Sequence, residues 1–370
     1  MSRPAYASID LDALRGNYAV ARRMHGGRVL AVLKADAYGH GAAACARALA
    51  GLADGYAVAF TDEALALRQA GVDAPILVLE GAFDARETQT ALHHGLWLAV
   101  HRQDQIAWLA EAATPLRPTP CQGDAPPRAS DAGIHAWLKV DSGMHRAGFI
   151  GAEVRAAHQA LQAIPAISQV TLMTHFARAD EPHSDMTATQ TQSFDSATAG
   201  LPGPRSLCNS AGLMAWPDAR HDWGRAGIML YGADPLPASG ATLRPVMTLH
   251  SEIFGVRELA AGEPVGYGAT FITERPTRVG LVAMGYADGY PRNAPNGTPV
   301  AIDGRPGKLI GRVSMDMLTV DLTDHPQARI GSRVELWGPR VPVSEVARAA
   351  GTIAYEILSN VKRVTRIYQP

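Results

Sequence analysis

The sequence has little of several features that define large classes of proteins. Only three of its 370 residues are cysteines, and this odd, widely spaced set (Cys45, Cys121 and Cys208) fits neither a disulfide framework nor a zinc site. The net charge of -1 gives no reason to expect nucleic acid or an anionic membrane as a partner. No apolar run approaches the roughly 20 residues of a membrane span, and the N-terminal segment lacks the apolar core of a signal peptide. We therefore expect a cytoplasmic enzyme.

Nucleotide-binding motifs are also missing, because no G-x-G-x-x-G follows an apolar run and no P-loop is present. The first two thirds of the chain instead alternate short apolar runs with helix-like segments. The predicted strands are residues 29–33, 56–60, 76–79, 96–100, 136–140, 169–173, 206–208 and one within 221–226. Parallel strands need helix-length connections, so eight such units predict an α/β fold with an N-terminal (β/α)8 barrel. An open, doubly wound sheet is the alternative.

The pattern changes after residue 236. Short runs rich in valine and threonine, separated by glycine-containing turns, predict a mostly antiparallel β domain that ends in two helices. Asp303-Gly304 is a strong hairpin signal, and Thr61, Ser344 and Thr352 are expected helix N-caps. We divide the chain into a barrel at 1–236 and a β domain at 237–370. A proline-rich segment at 114–130 predicts a loop or insertion, to which we assign no function.

Charged and polar residues follow several predicted barrel strands. They are Lys34, Lys139, Arg146, His175, Asn209, Ser210 and Arg225. Each alone has an ordinary explanation, such as a rim ion pair, but barrel active sites lie at the carboxyl ends of the strands, and together these residues indicate a site. A lysine there suits a Schiff base with pyridoxal phosphate (PLP), whose phosphate would lie near Ser210 and the backbone of Gly227 and Ile228.

Longer motifs resemble those of one family in the same order along the chain. AVLKADAYGHG around Lys34 is similar to the cofactor-lysine motif of the alanine racemase family. WLKVDSGMHRAGF, THFARAD, CNSAGLM, RAGIMLYG, GYGATF, GYADGYPR and GRVSMDMLTVDL resemble further motifs of that family. The resemblance covers nearly the whole chain and implies a barrel plus a β domain, with residues 1–10 packing on the β domain.

The resemblance implies a two-base racemisation of alanine through an external aldimine with PLP. Lys34 would act on one face and Tyr267 on the other, with His175 beside Tyr267 and connected to Arg225. Tyr267 and Lys34 fall in different domains, and the family joins them through a head-to-tail homodimer. Tyr286 and Met315, as residues that contact substrate, would likewise come from the partner.

The remaining roles also follow from the resemblance. Arg225 would face the pyridine nitrogen, and Arg146 would bind the substrate carboxylate, steadied by Lys139 if that lysine is carbamylated. The other expected cofactor contacts are Tyr38, His175, Asn209, Ser210, Gly227, Ile228 and Tyr355. No metal is expected. Ser142, Ser314 and Ala354 depart from the residues common in the family.

Several functions stay open at this stage. D-alanine could be made for peptidoglycan or consumed in catabolism, and the substrate range could extend to serine or larger amino acids. A PLP decarboxylase is a further alternative, although Tyr267 and Arg225 suit proton transfer on two faces. A PLP-binding homeostasis protein would resemble only the first domain.

Overall fold

A computed structural model describes residues 3–113, 133–236 and 242–370. The proline-rich segment at 114–130, Cys121 and the expected domain boundary at 236/237 lie wholly or partly outside these ranges. Cys45 and Cys208 are buried free thiols. Two eight-stranded sheets organise the described residues, one parallel and one mostly antiparallel.

The first strand of the chain, β1 (Tyr6–Asp10), belongs to the antiparallel sheet, and the next eight form the parallel sheet. These are β2 (Arg28–Val32), β3 (Tyr56–Val58), β4 (Ile76–Val78), β5 (Trp97–Val100), β6 (Ile134–Lys139), β7 (Ile167–Met173), β8 (Arg205–Ser206) and β9 (Trp223–Ala226). Each overlaps a predicted run. They pair in chain order, and β9 returns to β2 with Trp223 opposite Arg28. The backbone bond from Arg225 N–H to Cys208 O (3.0 Å) nearly closes the barrel between β8 and β9.

One helix precedes the barrel strands, and the others follow them as the alternating pattern predicts. They are α1 (Leu11–His25), α2 (Lys34–Tyr38), α3 (Ala42–Ala48), α4 (Thr61–Gln69), α5 (Ala85–His93), α6 (Gln103–Ala113), α7 (Ala152–Gln162), α8 (Met186–Ala197) and α9 (Ser210–Ala215). Asp10 caps α1 by accepting the Ala13 N–H at 2.7 Å, and Gly26 ends it in the left-handed region. Within the described ranges, no helix combines the length and the apolarity needed to cross a membrane.

The expected N-caps were wrong. Thr61 is the first residue of α4, and its hydroxyl is buried without a hydrogen-bond partner. The Glu63 side chain does the capping instead, accepting the Ala59 and Phe60 N–H groups. Helix α10 (Val343–Ala349) begins before Ser344, and α11 (Ala354–Ser359) begins two residues after Thr352. The Glu63 carboxylate thus takes the place of a hydroxyl cap at α4, whereas α10 begins after Pro342 without a side-chain cap.

The second sheet combines β1 with strands from the second half of the chain. These are β10 (Met247–Leu259), β13 (Thr277–Val282), β14 (Pro299–Ile302), β15 (Arg305–Lys308), β16 (Leu318–Asp321), β17 (Arg333–Trp337) and β18 (Thr365–Gln369), while β11 (Pro264–Val265) pairs with β12 (Phe271–Ile272). The hairpin signal at Asp303-Gly304 is confirmed: it joins β14 to β15 with both residues at positive φ. β1 pairs antiparallel with β10 and parallel with β18.

Candidate active site

A cavity of about 480 Å³ opens at the carboxyl ends of the barrel strands, within the size range of small-molecule sites. Most of the expected site residues line it. They are Lys34, Tyr38, Lys139, Arg146, His175, Asn209, Ser210, Arg225, Gly227, Ile228 and Tyr355. Lys34, which was expected just after the first barrel strand, is one of the residues that line this cavity.

The backbone that follows Lys34 is a left-handed helical turn. Ala35, Asp36, Ala37 and Tyr38 all have φ between 51° and 56°, and Gly39 continues at 79°. The turn closes through Ala37 N–H to Leu33 O (2.8 Å) and Gly39 N–H to Ala35 O (3.0 Å). Left-handed geometry costs roughly 1–2 kcal/mol for each residue that carries a Cβ. Surrounding contacts must therefore hold this turn.

Side chains from the barrel supply part of that support. Glu63 Oε1 accepts the Ala35 N–H at 2.6 Å. His40 Nδ1 lies 2.9 Å from Ala37 O and 2.8 Å from Tyr38 O, and because both are acceptors this nitrogen carries the hydrogen. Burial lowers the pKa of His40 to about 4, so the ring stays neutral at physiological pH.

Lys34 lies among other cationic groups. Burial lowers the pKa of its amine below the usual 10.5; the Glu80 carboxylate opposes this shift, and Arg146 adds to it. A lowered pKa enlarges the fraction of neutral amine, which is the form that attacks a carbonyl. The site thus favours a more nucleophilic amine at Lys34 than at an ordinary lysine.

Hydroxyl groups converge on one end of the cavity. Ser210 Oγ accepts the N–H groups of Gly227 (2.9 Å) and Met229 (3.3 Å), so its own hydrogen remains for a ligand. A Cβ on Gly227 would lie 2.8 Å from the Tyr38 hydroxyl, so glycine is needed for this approach. Burial raises the pKa of Tyr38, and it raises that of Tyr355 to about 12, which keeps both hydroxyls as donors. These donors fit a phosphate group.

Arg225 is fixed by neutral acceptors. Its Nη1 donates to Ser206 O (2.9 Å), and its Nη2 donates to Thr174 O (2.6 Å) and Leu207 O (3.1 Å). Burial lowers the pKa of Arg225 to about 10, so the guanidinium stays protonated at neutral pH.

His175 lies beside this guanidinium. Arg225 Nη2 is 3.4 Å from His175 Nδ1, and burial, followed by the charge of Arg225, lowers the pKa of His175 well below its usual value. The imidazole is therefore neutral, and a hydrogen bond from Arg225 to Nδ1 places its hydrogen on Nε2. Asn209, in contrast, uses Oδ1 to cap α9 by accepting the Gly212 N–H at 2.9 Å.

Sequence reasoning missed Glu80, a carboxylate that also lines the cavity. It raises the pKa of both Lys34 and Lys139, whereas burial lowers both. Its carbonyl accepts from His101 Nε2 (3.0 Å) and Gln105 Nε2 (3.3 Å), so α6 fixes its backbone. Its place directly after the predicted strand at 76–79 was the available signal. Among the described residues, no cluster of His, Cys, Asp and Glu is placed to hold a metal ion.

Three expected site residues do not reach this cavity. Tyr267, Met315 and Tyr286 lie on loops of the second half of the chain and are 68%, 53% and 37% exposed. The Tyr286 N–H donates to Ser314 O (3.0 Å), which joins the loops of Tyr286 and Met315. None of these three side chains lines the cavity.

A barrel with a lysine of lowered pKa and several hydroxyl donors in the cavity at its mouth, joined to a β domain, fits a class of PLP-dependent enzymes. The family models for the alanine racemase N-terminal and C-terminal domains match residues 9–235 and 246–368. The chain belongs to the alanine racemase family and is a PLP-dependent racemase. Because the match includes the β domain, the barrel-only homeostasis alternative is excluded.

Individual relatives match this chain over nearly their full lengths. The chain is 61% identical to alanine racemase from Azoarcus sp. (strain BH72), covering 99% of each, and 53% identical to the catabolic alanine racemase of Pseudomonas aeruginosa, also covering 99% of each. The crystal structure of the biosynthetic alanine racemase from Pseudomonas aeruginosa superposes with a TM-score of 0.91 at 46% identity, covering 100% of both chains. Alanine racemase from Bartonella henselae, with covalently bound pyridoxal phosphate, has a TM-score of 0.87 at 29% identity and covers 99% of both chains.

Proposed function

We propose that this protein is a cytoplasmic alanine racemase that binds PLP covalently through Lys34. The observation that carries this proposal is the joint placement of a lysine with a lowered pKa and a group of hydroxyl donors in one cavity. Relatives named alanine racemase, and the Bartonella henselae structure with its covalently bound cofactor, support it.

The chain's own groups account for cofactor binding. Ser210 and Tyr38, with Tyr355 at the rim, donate hydrogen bonds to the phosphate, and Gly227 leaves room for the Tyr38 hydroxyl. The protonated Arg225, held by three backbone carbonyls, donates to the pyridine nitrogen. PLP supplies an electron sink that makes the Cα–H of a bound amino acid acidic.

Racemisation then needs a proton acceptor on one face of the bound amino acid and a donor on the other. Lys34 Nζ holds the proton on one face, because its lowered pKa makes the amine release a proton more readily than an ordinary lysine does. Tyr267 Oη does so on the opposite face. Arg146, which lines the cavity, binds the substrate carboxylate.

Lys139 supports Arg146 in this scheme. Burial favours the neutral Lys139 amine, and that form combines with carbon dioxide to give a carbamate. A carbamate would place a negative charge beside Arg146, where the unmodified ammonium would repel it. We therefore include carbamylation of Lys139 in the proposal.

Tyr267 reaches an active site only through a second copy of the chain. We propose a homodimer in which the β domain (237–370) of each subunit places Tyr267, Tyr286 and Met315 at the mouth of the partner's barrel (1–236). The exposure of all three side chains in one chain supports this arrangement, because large apolar side chains grouped on adjoining loops commonly form interfaces.

Two substitutions test the assignment. Lys34→Ala should abolish the visible absorbance of lysine-bound PLP, because Lys34 is the amine that we assign to that bond. Tyr267→Phe keeps the ring and removes the hydroxyl that we assign to abstraction of the Cα proton of L-alanine, so it should slow Cα hydrogen exchange of L-alanine much more than that of D-alanine. If Lys34→Ala retained the visible absorbance, Lys34 would not be the residue that binds PLP. If both enantiomers lost exchange equally, Lys34 and Tyr267 would not act as bases on opposite faces.

Turnover of a panel of L-amino acids by the wild type measures how far activity extends beyond alanine.

A further inference from the structure

We propose that the last strand, β18, is a positioning element for the active-site lysine. In this proposal Arg366 and Tyr368 hold the left-handed turn of residues 35–38, which directs Lys34 and Tyr38 into the cavity. The inference rests on the proposed function only in taking PLP as the ligand of that cavity.

The first contact is an ion pair between β18 and the turn. Arg366 Nη1 lies 2.6 Å from Asp36 Oδ2, while Asp36 Oδ1 accepts the Ala42 N–H at 2.7 Å. One carboxylate therefore connects β18, the turn and the start of α3. Asp36 has a φ of 52°, a region that aspartate tolerates better than most residues.

The second contact is close packing against the two glycines of YGHG. At Gly41, with φ of 93°, an added Cβ would lie 2.0 Å from the Tyr368 hydroxyl. At Gly39, an added Cβ would lie 2.2 Å from the carbonyl oxygen of Leu358 in α11. The absence of a side chain at both glycines thus lets Tyr368 and Leu358 approach the backbone closely, so the C-terminal part of the chain packs against this segment at two points.

The position of β18 is itself fixed to the barrel. β18 pairs with β1 from Tyr6–Thr365 to Asp10–Gln369, and α1 follows β1 without a break. Glu63 and His40 hold the turn from the barrel side, as described above. Loss of the Arg366 contact therefore removes one of several supports, and we expect a looser turn rather than an unfolded protein.

Purified holoenzyme carrying Arg366→Met tests the inference through the rate at which PLP is released into an excess of a PLP-trapping apoenzyme. Release should be on the order of fivefold faster than in the wild type, the ratio that corresponds to about one kcal/mol. Asp36→Asn keeps the acceptor for Ala42 N–H but removes the charge, so it should accelerate release similarly. The double variant should be no faster than either single variant, because both remove the same contact.

Arg244→Met is the matched control. Arg244 is also partly exposed and pairs with Asp10 at 2.8 Å, but it does not touch the turn, so PLP release should stay at the wild-type rate. Wild-type release from both Arg366→Met and Asp36→Asn would overturn the positioning role, as would additive effects in the double variant. Absence of bound PLP from the wild type would instead refute the proposed function, so the two failures are distinguishable.

Discussion

Lys34 and its charged neighbours show how single residues set the chemistry of the cavity. Lys34, Lys139, Arg146 and Arg225 all line it, and Glu80 is the carboxylate that raises the pKa of both lysines. Burial still prevails at each lysine, so both pKa values remain lowered. Burial and the positive charges of the cavity thus enlarge the fraction of neutral amine at both lysines, and Glu80 limits this effect.

Replacing Glu80 should shift the pH dependence of cofactor capture. In apoenzyme, the rate of PLP capture rises with pH as Lys34 loses its proton, with a midpoint below the pKa of 10.5 of an ordinary lysine. Glu80→Gln removes the negative charge that raises this pKa, so the midpoint should move to still lower pH. The measurement is the rate at which visible absorbance appears after PLP is added, across a pH series.

Glu356→Gln is the control for this experiment, because Glu356 also lines the cavity but is not among the groups that shift Lys34. Its profile should match that of the wild type. A profile of Glu80→Gln that is unchanged or moved to higher pH would contradict the assigned role of Glu80.

Residue positions were predictable where a side chain lies at or shortly after the carboxyl end of a barrel strand. Lys34, His175, Ser210 and Arg225 all line the cavity because parallel strands bring their carboxyl ends to one face. Glu63 was not predicted, since its contact with the Ala35 N–H crosses from α4 to the turn and leaves no local trace in the sequence. The expectation that Tyr267 acts in the active site of a partner subunit rested only on the family resemblance.

Among the structural elements, the barrel strands could be predicted from their sequences, whereas the left-handed turn of residues 35–38 could not. The first four predicted runs are continuously apolar, as expected where both faces of a parallel sheet are covered, and all eight predicted positions agree with the structure to within a few residues. Ala-Asp-Ala-Tyr, in contrast, contains nothing that predicts four consecutive positive φ angles. Tertiary contacts impose that turn against local preference, and local patterns cannot report them.

Gly39 and Gly51 form a matched pair for testing this packing. Both have positive φ, at 79° and 73°, but an added Cβ meets Leu358 O at Gly39 and nothing within 4 Å at Gly51. Gly51→Ala should therefore show only the backbone cost of about 1 kcal/mol in free energy of unfolding. Gly39→Ala should lose clearly more and also bind PLP more weakly, as measured by denaturant titration and by cofactor titration of apoenzyme. Equal losses at the two positions would show that the contact with α11 does not constrain the turn.

The whole molecule separates the groups that its proposed chemistry must join. Lys34 lies in the barrel cavity, whereas Tyr267 is 68% exposed on a loop between β11 and β12. A head-to-tail pair of chains would form two equivalent sites, each drawing on both subunits. Activity is then a property of the assembled pair.

Mixed dimers test this shared site. Lys34→Ala and Tyr267→Ala chains, co-expressed with different tags and purified as the heterodimer, should regain about half of the wild-type activity, because one of the two sites is then intact. Each parent homodimer should be nearly inactive. Racemase assays on the three purified species provide the measurement. A heterodimer as inactive as its parents would place both groups within a single chain.

The parallel pairing of β1 with β18 also has a consequence for synthesis of the protein. Tyr6 leaves the ribosome long before Thr365, its register partner. The emerging chain therefore holds β1 without β18 beside it until β18 has been translated. Products that terminate before β18 would lack both Arg366 and Tyr368, and we expect the barrel of such fragments to retain PLP poorly. Competence for turnover would in this way report that translation ran through β18.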